Sequence, residues 1–487
     1  MKKHLTSSLL PAVLMAATCL PGAGRAAPTP QAVRPLAHDI FKQLIEIDTT
    51  DSAGSTTAAA QAMAQRLLAA GFPAADVAVL GPDERRGNLV VRYRGRPHSP
   101  LRALLIIGHL DVVDARREDW STDPFQFVER DGFFYGRGTE DMKASDAILV
   151  ADFIRLREEG FVPERDLILA LTAGEEGGSS NGVDWLLKNH RALLDAEFAL
   201  NAEATGVLTE HGKPVLVELV ATEKLYGDFQ VLATNAGGHS SLPIPDNAIY
   251  HVARALGVLE KFSFPFELNN VTRPYFAQLA ATESGQTALD LRAVLATPPD
   301  AAAVARLSQD ARYNATMRTT CVATTMTAGH APNALPQRAE ANVNCRILPG
   351  HSQEEIRLQL VALFNDSALT VRYRSDAGEL LDHGSDRKSM PPPPLRADVS
   401  AALREVAGKF WPGAPVTPMM MMWASDSVQT MTAGIPSYGI SGVAVERDDI
   451  RMHGKDERVA MESYYTGVEF YYQFLKRLTS GSRGVQR

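Results

Sequence analysis

The sequence predicts an α/β protein in which helices flank a largely parallel sheet and a smaller α+β domain is inserted in the chain. Three short apolar runs, at residues 103–107, 167–171 and 198–200, have the length and composition of strands buried on both faces. Helical patterns alternate with these runs, as in crossover units. About 460 residues remain after a leader, which is more than one core usually organises, so two domains are expected.

The first 26 residues have the features of a secretory signal peptide. Lys2 and Lys3 precede an apolar run at residues 9–20, and small residues fit cleavage after Ala26. The run is shorter than the roughly 20 apolar residues that span a bilayer, and no later segment approaches that length. We therefore expect a periplasmic or secreted protein that does not associate with a membrane once the signal is removed.

Composition excludes several classes of protein. Cleavage would remove Lys2, Lys3 and Arg25 and no acids, which moves the formal net charge from -8 to -11. A chain this acidic, with no basic tract, argues against a nucleic acid as partner. Only Cys321 and Cys345 would remain, too few for a thiolate zinc cluster, so His and carboxylates must hold any metal.

Helical patterns surround the predicted strands. A period of three to four in the apolar residues at 36–45 predicts a first helix, and an Ala-rich stretch at 56–70 predicts a second, ended by Gly71. A third predicted helix, at 144–159, lies between the first two strand runs and ends at Gly160. Strand, helix and strand thus form right-handed crossover units of a parallel sheet.

The pattern changes near residue 224, where we predict the start of a lid domain at 224–380. Its predicted elements are a strand at 229–233, a helix at 246–261, a hairpin of 319–328 with 338–347, a helix at 352–364 and a strand at 368–373. A proline-rich linker would lead back to the first domain. The catalytic domain would therefore have two parts, at 32–223 and 391–480.

Polar side chains follow the predicted strands at their carboxyl ends. His109, the pair Glu175 and Glu176, and Glu203 each come just after one of the three apolar runs. Open α/β sheets bind their ligands at this edge. We therefore expect these side chains to lie in one site.

His109 and Asp111 lie two residues apart, so an Asp111 carboxylate oxygen could accept one imidazole N–H while the other nitrogen binds metal. A purely structural hydrogen-bonded pair is the commoner explanation of such a pattern. Asp141 lies in a Gly-rich turn before a helix, where it could bridge two cations or simply cap the helix. These residues alone leave both alternatives open.

Glu175 and Glu176 are adjacent carboxylates among glycines, and like charges this close need solvent or cations. With cations the pair could divide two roles: Glu176 would bind metal, and Glu175 would move a proton from water to the leaving amine. A solvated loop is the alternative. His453 lies in a polar loop and is a ligand candidate only in combination with the others.

Five motifs occur in one order along the chain: His109-x-Asp111, Gly-Arg-Gly-x-x-Asp141-Met-Lys, Glu175-Glu176, Asn201-Ala202-Glu203 and His453-Gly-x-x-Glu. As a set, they resemble the aminoacylase, carboxypeptidase G and acetylornithine deacetylase family of dinuclear zinc exopeptidases. The resemblance implies Glu175 as general base and Asp111 as the residue that orients His109. It also implies two zinc sites with one shared ligand: His109, Asp141 and Glu203 for one ion, and Asp141, Glu176 and His453 for the other.

The resemblance further implies a lid and dimerisation domain, which matches the predicted insertion. Gly238-His239-Ser240-Ser241 resembles the motif whose His stabilises the oxyanion in the partner subunit's site, so a homodimer is expected. Asn333 and Arg346 resemble a substrate-binding Asn and a carboxylate-binding Arg. A guanidinium binds a carboxylate with two parallel hydrogen bonds. Arg346 would therefore select substrates with a free acid beside the scissile amide. Without the resemblance, His239 and Arg346 would be taken for ordinary turn and strand residues.

Two features depart from the family pattern. Residues 262–318 are longer than the corresponding lid segment, which could reshape substrate access or the dimer contact, and Asp456 stands where many relatives have Asn. The Asp141–Met142 peptide bond is cis in relatives, and we expect it to be cis here.

The hairpin about Asn333 places Cys321 opposite Cys345, because each lies twelve residues from that turn. In an oxidising compartment the two could form a cross-strand disulfide. Two buried free thiols are the alternative, since the register could differ by a residue or two.

Together these observations predict a secreted dinuclear zinc amidohydrolase that cleaves a peptide or N-acyl bond beside a free carboxylate. A metal-bridging hydroxide generated by Glu175 would attack, and His239 from a second subunit would complete the oxyanion site. Cobalt or manganese could replace zinc. The alternatives are a serine hydrolase, for which no Gly-x-Ser-x-Gly motif is present, and an inactive family member that acts as a binding protein.

Overall fold

The computed structural model describes residues 30–177, 180–203, 206–375, 378–385 and 391–481. The predicted signal peptide, residues 1–26, lies outside these ranges. None of the described helices combines the length and the apolar character that crossing a membrane requires.

The described strands, in chain order, are β1 (Val77–Leu80), β2 (Asn88–Tyr93), β3 (Leu104–His109), β4 (Val128–Arg130), β5 (Phe133–Tyr135), β6 (Leu167–Thr172), β7 (Phe198–Asn201), β8 (Val207–Glu210), β9 (Lys213–Glu223), β10 (Leu225–Thr234), β11 (Gly238–His239), β12 (Thr320–Ala328), β13 (Ala334–Leu335), β14 (Arg338–Ile347), β15 (Leu369–Arg374), β16 (Leu380–Leu381), β17 (Val416–Met421), β18 (Ser437–Gly439), β19 (Ala444–Glu446) and β20 (Arg458–Ala460).

The described helices are α1 (Pro30–Ile45), α2 (Thr56–Ala69), α3 (Lys143–Glu158), α4 (Gly182–Asn189), α5 (Arg191–Leu194), α6 (Ala248–Lys261), α7 (Thr272–Thr282), α8 (Gly285–Val294), α9 (Ala301–Leu307), α10 (Ala311–Met317), α11 (Gln353–Phe364), α12 (Ala397–Phe410), α13 (Ser427–Thr432) and α14 (Met461–Thr479).

The larger sheet has the order β1-β2-β6-β3-β7-β18-β9-β8-β19, and β17 pairs with β9 beside this path. The three apolar runs of the sequence form its centre, where β3 pairs in parallel with both β6 and β7. Leu104 and Ile106 of β3 pack into one apolar core, and Leu105 and Ile107 pack into another on the opposite face. The centre of the sheet is therefore parallel and buried on both faces, as predicted, whereas β1, β2, β8 and β9 add antiparallel pairs that make the whole sheet mixed.

Helices cover both faces of this sheet. The helices α1, α3, α12 and α14 pack on one another and supply many of the buried residues of one core, and α4 and α5 supply apolar residues to the other. The polar residues that follow β3, β6 and β7 are thereby held at one edge of a rigid layer.

The smaller sheet has the order β12-β14-β10-β15-β16, and all its pairs are antiparallel. Phe229, Val231 and Val343 point to one face, where Leu259 of α6 and Leu360 of α11 cover them. Alternate residues such as Tyr226 therefore point to the opposite face. Together, the two sheets confirm the predicted α/β class with a lid domain.

The long segment at 262–318 contains the short helices α7, α8, α9 and α10, which the sequence did not predict. These helices enclose a small core of their own that includes Phe276, Leu291 and Leu307, and α7 packs on β17 of the larger sheet. Helices of 7 to 11 residues show too few turns for a clear periodic pattern.

The predicted hairpin pairs β12 with β14, and Cys321 lies directly opposite Cys345. The two residues form a disulfide. Of the two alternatives that the sequence left open, the bridge is the one that the structure contains. It fixes the register of the two strands one residue before Arg346.

We predict that alkylation of the unreduced, denatured protein leaves Cys321 and Cys345 unmodified, and that a Cys321→Ala/Cys345→Ala variant unfolds at lower temperature. Loss of such a bridge costs about 2–4 kcal/mol because the unfolded chain gains freedom. Peptide mass mapping with and without reductant checks the first part, and thermal unfolding checks the second. Two alkylated thiols without reductant would contradict the bridge.

Candidate metal centre

The ends of three parallel strands bring the predicted ligands together. His109 is the last residue of β3, Glu176 follows β6 by four residues, and Glu203 follows β7 by two. Asp141 comes from the turn before α3, and His453 comes from the loop before β20. The predicted clustering at the carboxyl edge of the sheet is observed.

Among the described residues, candidate ligands form two groups of three that share Asp141. The ligand atoms within each group lie within 4.8 Å of one another. Nε2 of His109 is 3.1 Å from Oδ1 of Asp141, and Nε2 of His453 is 3.2 Å from Oδ2. Each oxygen of Asp141 thus faces one histidine. The two groups are His109, Asp141 and Glu203, and Asp141, Glu176 and His453.

Glu457 shapes the turn that carries Asp141. Its carboxylate is fully buried and accepts hydrogen bonds from the amides of Gly138, Glu140 and Asp141 at 3.2, 2.7 and 3.1 Å. The Arg137 guanidinium donates to the same carboxylate at 2.6 Å. The turn needs a φ of 92° at Gly138, a conformation that favours glycine. The Asp141–Met142 bond in this turn is cis, as expected.

Glu140 makes the reciprocal connection to the loop that carries His453. Its carboxylate accepts the amide of Arg451 at 2.6 Å and also the amide of Met452. We use the name carboxylate clasp for Glu140, Glu457 and the hydrogen bonds that their two carboxylates accept from the Asp141 turn and the His453 loop. Because each acid holds the loop of the other, the clasp fixes His453 beside Asp141.

The contact of Asp111 with His109 differs from the prediction. Nδ1 of His109 donates to the main-chain carbonyl of Asp111 at 3.0 Å, whereas the carboxylate is 3.8 Å away. The carboxylate instead accepts the amides of Glu175 and Glu176 at 3.3 and 2.9 Å. The backbone turns after β3, so the carbonyl reaches the ring first. Asp111 therefore connects the His109 strand with the Glu175 loop.

The buried charges of the centre suit a cationic ligand. Burial and the neighbouring Glu175 carboxylate raise the pKa of Glu203, and among the described residues Oε2 of Glu203 has no hydrogen-bond partner. Burial also raises the pKa of Glu176, which the hydrogen bond from His453 opposes. Buried carboxylates are costly unless cations or hydrogen bonds compensate them. With its Nδ1 proton engaged, His109 presents Nε2 to an Asp141 oxygen, which is the geometry of two ligands of one ion. The donors therefore fit divalent cations that accept N and O ligands.

The three predicted residues of the lid lie in two places. His239 and Asn333 adjoin a two-stranded ribbon of β11 and β13, where the Ser240 amide donates to the Asn333 carbonyl at 3.1 Å. His239 is exposed, and its Nδ1 accepts the amide of Ser241 at 3.2 Å. In the part of the chain that the structure describes, neither residue hydrogen-bonds to a candidate metal ligand.

Arg346 lies on the lid-sheet face that α6 and α11 leave open. Burial lowers the pKa of its guanidinium, and the charges of Tyr226, Asp228 and Glu175 oppose this shift. Glu175 is thus within electrostatic range of Arg346 although the two belong to different sheets.

The roles of Glu140 and Glu457 were not predicted from the sequence. Glu457 ends the motif His453-Gly-x-x-Glu, and its place in that motif was the available signal. A carboxylate that binds loop amides more than 300 residues away leaves no local pattern in the sequence. Asp456, the departure from the usual Asn, accepts the amide and hydroxyl of Ser121, both at 2.8 Å.

A mixed α/β sheet with a lid and a cluster of carboxylates and histidines at its carboxyl edge defines a metal-dependent hydrolase. Residues 105–477 match the family described as Peptidase family M20/M25/M40. The chain therefore belongs to this family of metallopeptidases, and the resemblance noted from the motifs is confirmed.

Individual proteins agree with this assignment. The chain is 28% identical over 414 residues to Probable carboxypeptidase S-like 2 of Dictyostelium discoideum, covering 80% of this chain and 74% of the relative. It is 27% identical over 400 residues to N-fatty-acyl-amino acid synthase/hydrolase PM20D1 of Homo sapiens, covering 79% and 76%. The fold is similar to that of the M20 family metallo-carboxypeptidase Sso-CP2 from Sulfolobus solfataricus, with a TM-score of 0.67, 17% identity and coverage of 91% and 99%.

We predict that Glu457→Gln weakens metal binding at the centre at least about tenfold, because residues that orient metal ligands typically contribute 10–100-fold to affinity. A side-chain amide at this position cannot accept all four hydrogen bonds that the Glu457 carboxylate accepts, so the Asp141 turn loosens. Competition with a chelator of known affinity measures the change.

Glu446→Gln is the matched control. The Glu446 carboxylate also accepts loop amides, from His211 and Gly212, but it lies at the edge of the sheet on β19. Equal metal affinity in the Glu457 variant and the wild-type protein would contradict the role of the clasp.

Proposed function

We propose that this protein is a dinuclear zinc amidohydrolase that cleaves a peptide or N-acyl amide bond next to a free carboxylate. The observation that carries the proposal is the pair of three-residue groups that share Asp141. Glu175 belongs to neither group and directly precedes the ligand candidate Glu176 in the chain. Zinc would be held by the ligands named above, and cobalt or manganese could replace it.

The metal ions, when bound, supply Lewis acidity that polarises the scissile carbonyl and lowers the pKa of the attacking water. Glu175 is the general base in this proposal. Its carboxylate accepts a proton as the water oxygen bonds to the carbonyl carbon, and it returns the proton to the nitrogen as the C–N bond breaks. Burial raises the pKa of Glu175 well above its usual range, which suits a group that must both take and give a proton. Asp111 holds the Glu175 amide and so places this base.

Arg346 is proposed to bind the substrate carboxylate with two parallel hydrogen bonds. Its place on the open face of the lid sheet, within electrostatic range of Glu175, supports this role. The relatives are named as a probable carboxypeptidase S-like protein and an N-fatty-acyl-amino acid synthase/hydrolase. We therefore propose peptides or N-acyl amino acids as the substrate class.

The compartment is proposed to be the periplasm or the exterior. The basic and apolar pattern of residues 1–26 supports export, and the Cys321–Cys345 disulfide supports an oxidising environment.

The test is hydrolysis by the zinc-loaded protein of dipeptides and N-acyl amino acids, each paired with a matched amide that lacks the terminal acid. We expect the acid of each pair to have a kcat/KM at least about tenfold higher, since Arg346 would lose its charged partner in the amide. Glu175→Ala should lower kcat by about 100-fold or more, as expected for loss of a general base, while the zinc content stays unchanged.

An inactive binding protein is the competing function. Metal analysis that finds no zinc, together with no hydrolysis of any pair, would favour it. Full activity of Glu175→Ala would overturn the assignment of the base.

We also propose a homodimer in which His239 of each subunit completes the other subunit's site. His239→Ala and Glu175→Ala should each be inactive, but their co-expression should restore about a quarter of wild-type activity, because half of randomly paired dimers contain one intact site. Differently tagged chains and tandem purification measure this. A fully active monomer, or a purified mixed dimer without activity, would contradict the proposal.

A further inference from the structure

The open face of the lid sheet holds a polar network around Arg346. Tyr226 of β10 lies directly opposite Arg346 of β14, so the two side chains share one face. The centre of the Arg346 guanidinium is 4.7 Å from the centroid of the Tyr226 ring. This is a cation–π contact, and it supports the guanidinium from one side.

A hydrogen bond of the hydroxyl group fixes the position of the Tyr226 ring. Its hydroxyl donates to Oδ2 of Asp228 at 2.5 Å. Oδ1 of Asp228 accepts the side-chain amides of Asn342 and Asn344 at 2.8 and 2.9 Å. Both oxygens of this carboxylate are therefore engaged by neutral donors.

These contacts decide which anion Arg346 can bind. Among the described residues, Arg346 forms no salt bridge, although Asp228 is its diagonal neighbour on the same face. Asp228 would be a competitor for the guanidinium if its oxygens were free. The Tyr226 hydroxyl and the two amides keep the carboxylate occupied, and the guanidinium contacts the Tyr226 ring instead.

We propose that Tyr226 is a positioning residue that keeps Arg346 available to the carboxylate of the substrate. Its ring packs against the Arg346 guanidinium. Its hydroxyl occupies one oxygen of the Asp228 carboxylate, which would otherwise compete with the substrate for Arg346. The inference rests on the proposed function, because it assumes that Arg346 binds the substrate acid.

The experiment measures kcat and KM for an N-acyl amino acid and for its matched amide. Tyr226→Phe keeps the ring but frees Asp228, and it should raise the KM of the acid about threefold; Tyr226→Leu removes both contacts and should raise it about tenfold. The kcat of the acid, the KM of the amide and the zinc content should stay within about twofold of wild type.

A rescue separates this role from a merely structural one. In Tyr226→Phe/Asp228→Asn no carboxylate competes for Arg346, so the KM of the acid should return towards the wild-type value. Tyr465→Leu is the matched control, since the Arg34 guanidinium lies 4.5 Å from that ring in a similar contact between α1 and α14. It should leave all the constants unchanged.

Several outcomes would overturn the inference: an unchanged KM in Tyr226→Leu, an equal change for acid and amide, or no rescue by the second substitution. Failure of the proposed function has a different signature. A wild-type enzyme that hydrolyses acid and amide equally well would remove the role of Arg346 itself, before any variant of Tyr226 is compared.

Discussion

The structure of the centre depends on one buried carboxylate. Glu457 is fully buried, yet four donors from the Asp141 turn surround it. A buried charge is tolerated only when hydrogen bonds replace its water, so the turn and the glutamate require each other. In the same way, the Glu140 carboxylate of the Asp141 turn accepts the amide of Arg451 in the loop that carries His453. Two loops from distant parts of the chain are thus held at a fixed separation.

This fixed framework explains how so many acids can be collected at one sheet edge. Desolvation raises the pKa of Glu175, Glu176 and Glu203, so the folded chain gathers carboxylates whose charged forms are unfavourable without counter-charge. A bound cation supplies the missing counter-charge. The unfavourable free energy of burying these carboxylates is then removed, and its removal contributes to the affinity for metal. Asp111 also fixes the loop that carries Glu175, because its carboxylate accepts the amides of Glu175 and Glu176. The burial of these carboxylates therefore influences both the stability of this edge of the sheet and its affinity for cations.

Much of the fold and site could be predicted from the sequence, and the exceptions share a physical reason. Apolar runs mark the buried strands, and the residues just after them, such as His109, must lie at one edge because parallel strands end there. The clasp of Glu140 and Glu457 could not be predicted, because it consists of hydrogen bonds between side chains and remote amides. The Asp111 carboxylate was assigned to the wrong partner because the backbone path after β3 decides which oxygen reaches the ring. The helices of 262–318 are too short for their periodicity to be recognised.

The chain passes from the larger sheet to the lid sheet through a single residue. Lys224 separates β9 from β10, is completely buried, and donates from Nζ to the Arg318 carbonyl at 2.7 Å. The direction of β10 is therefore tied to that of β9, and β10 in turn pairs along its whole length with β14, which carries Arg346. A substitution that changed the backbone at Lys224 would alter the orientation of the lid sheet relative to the larger sheet.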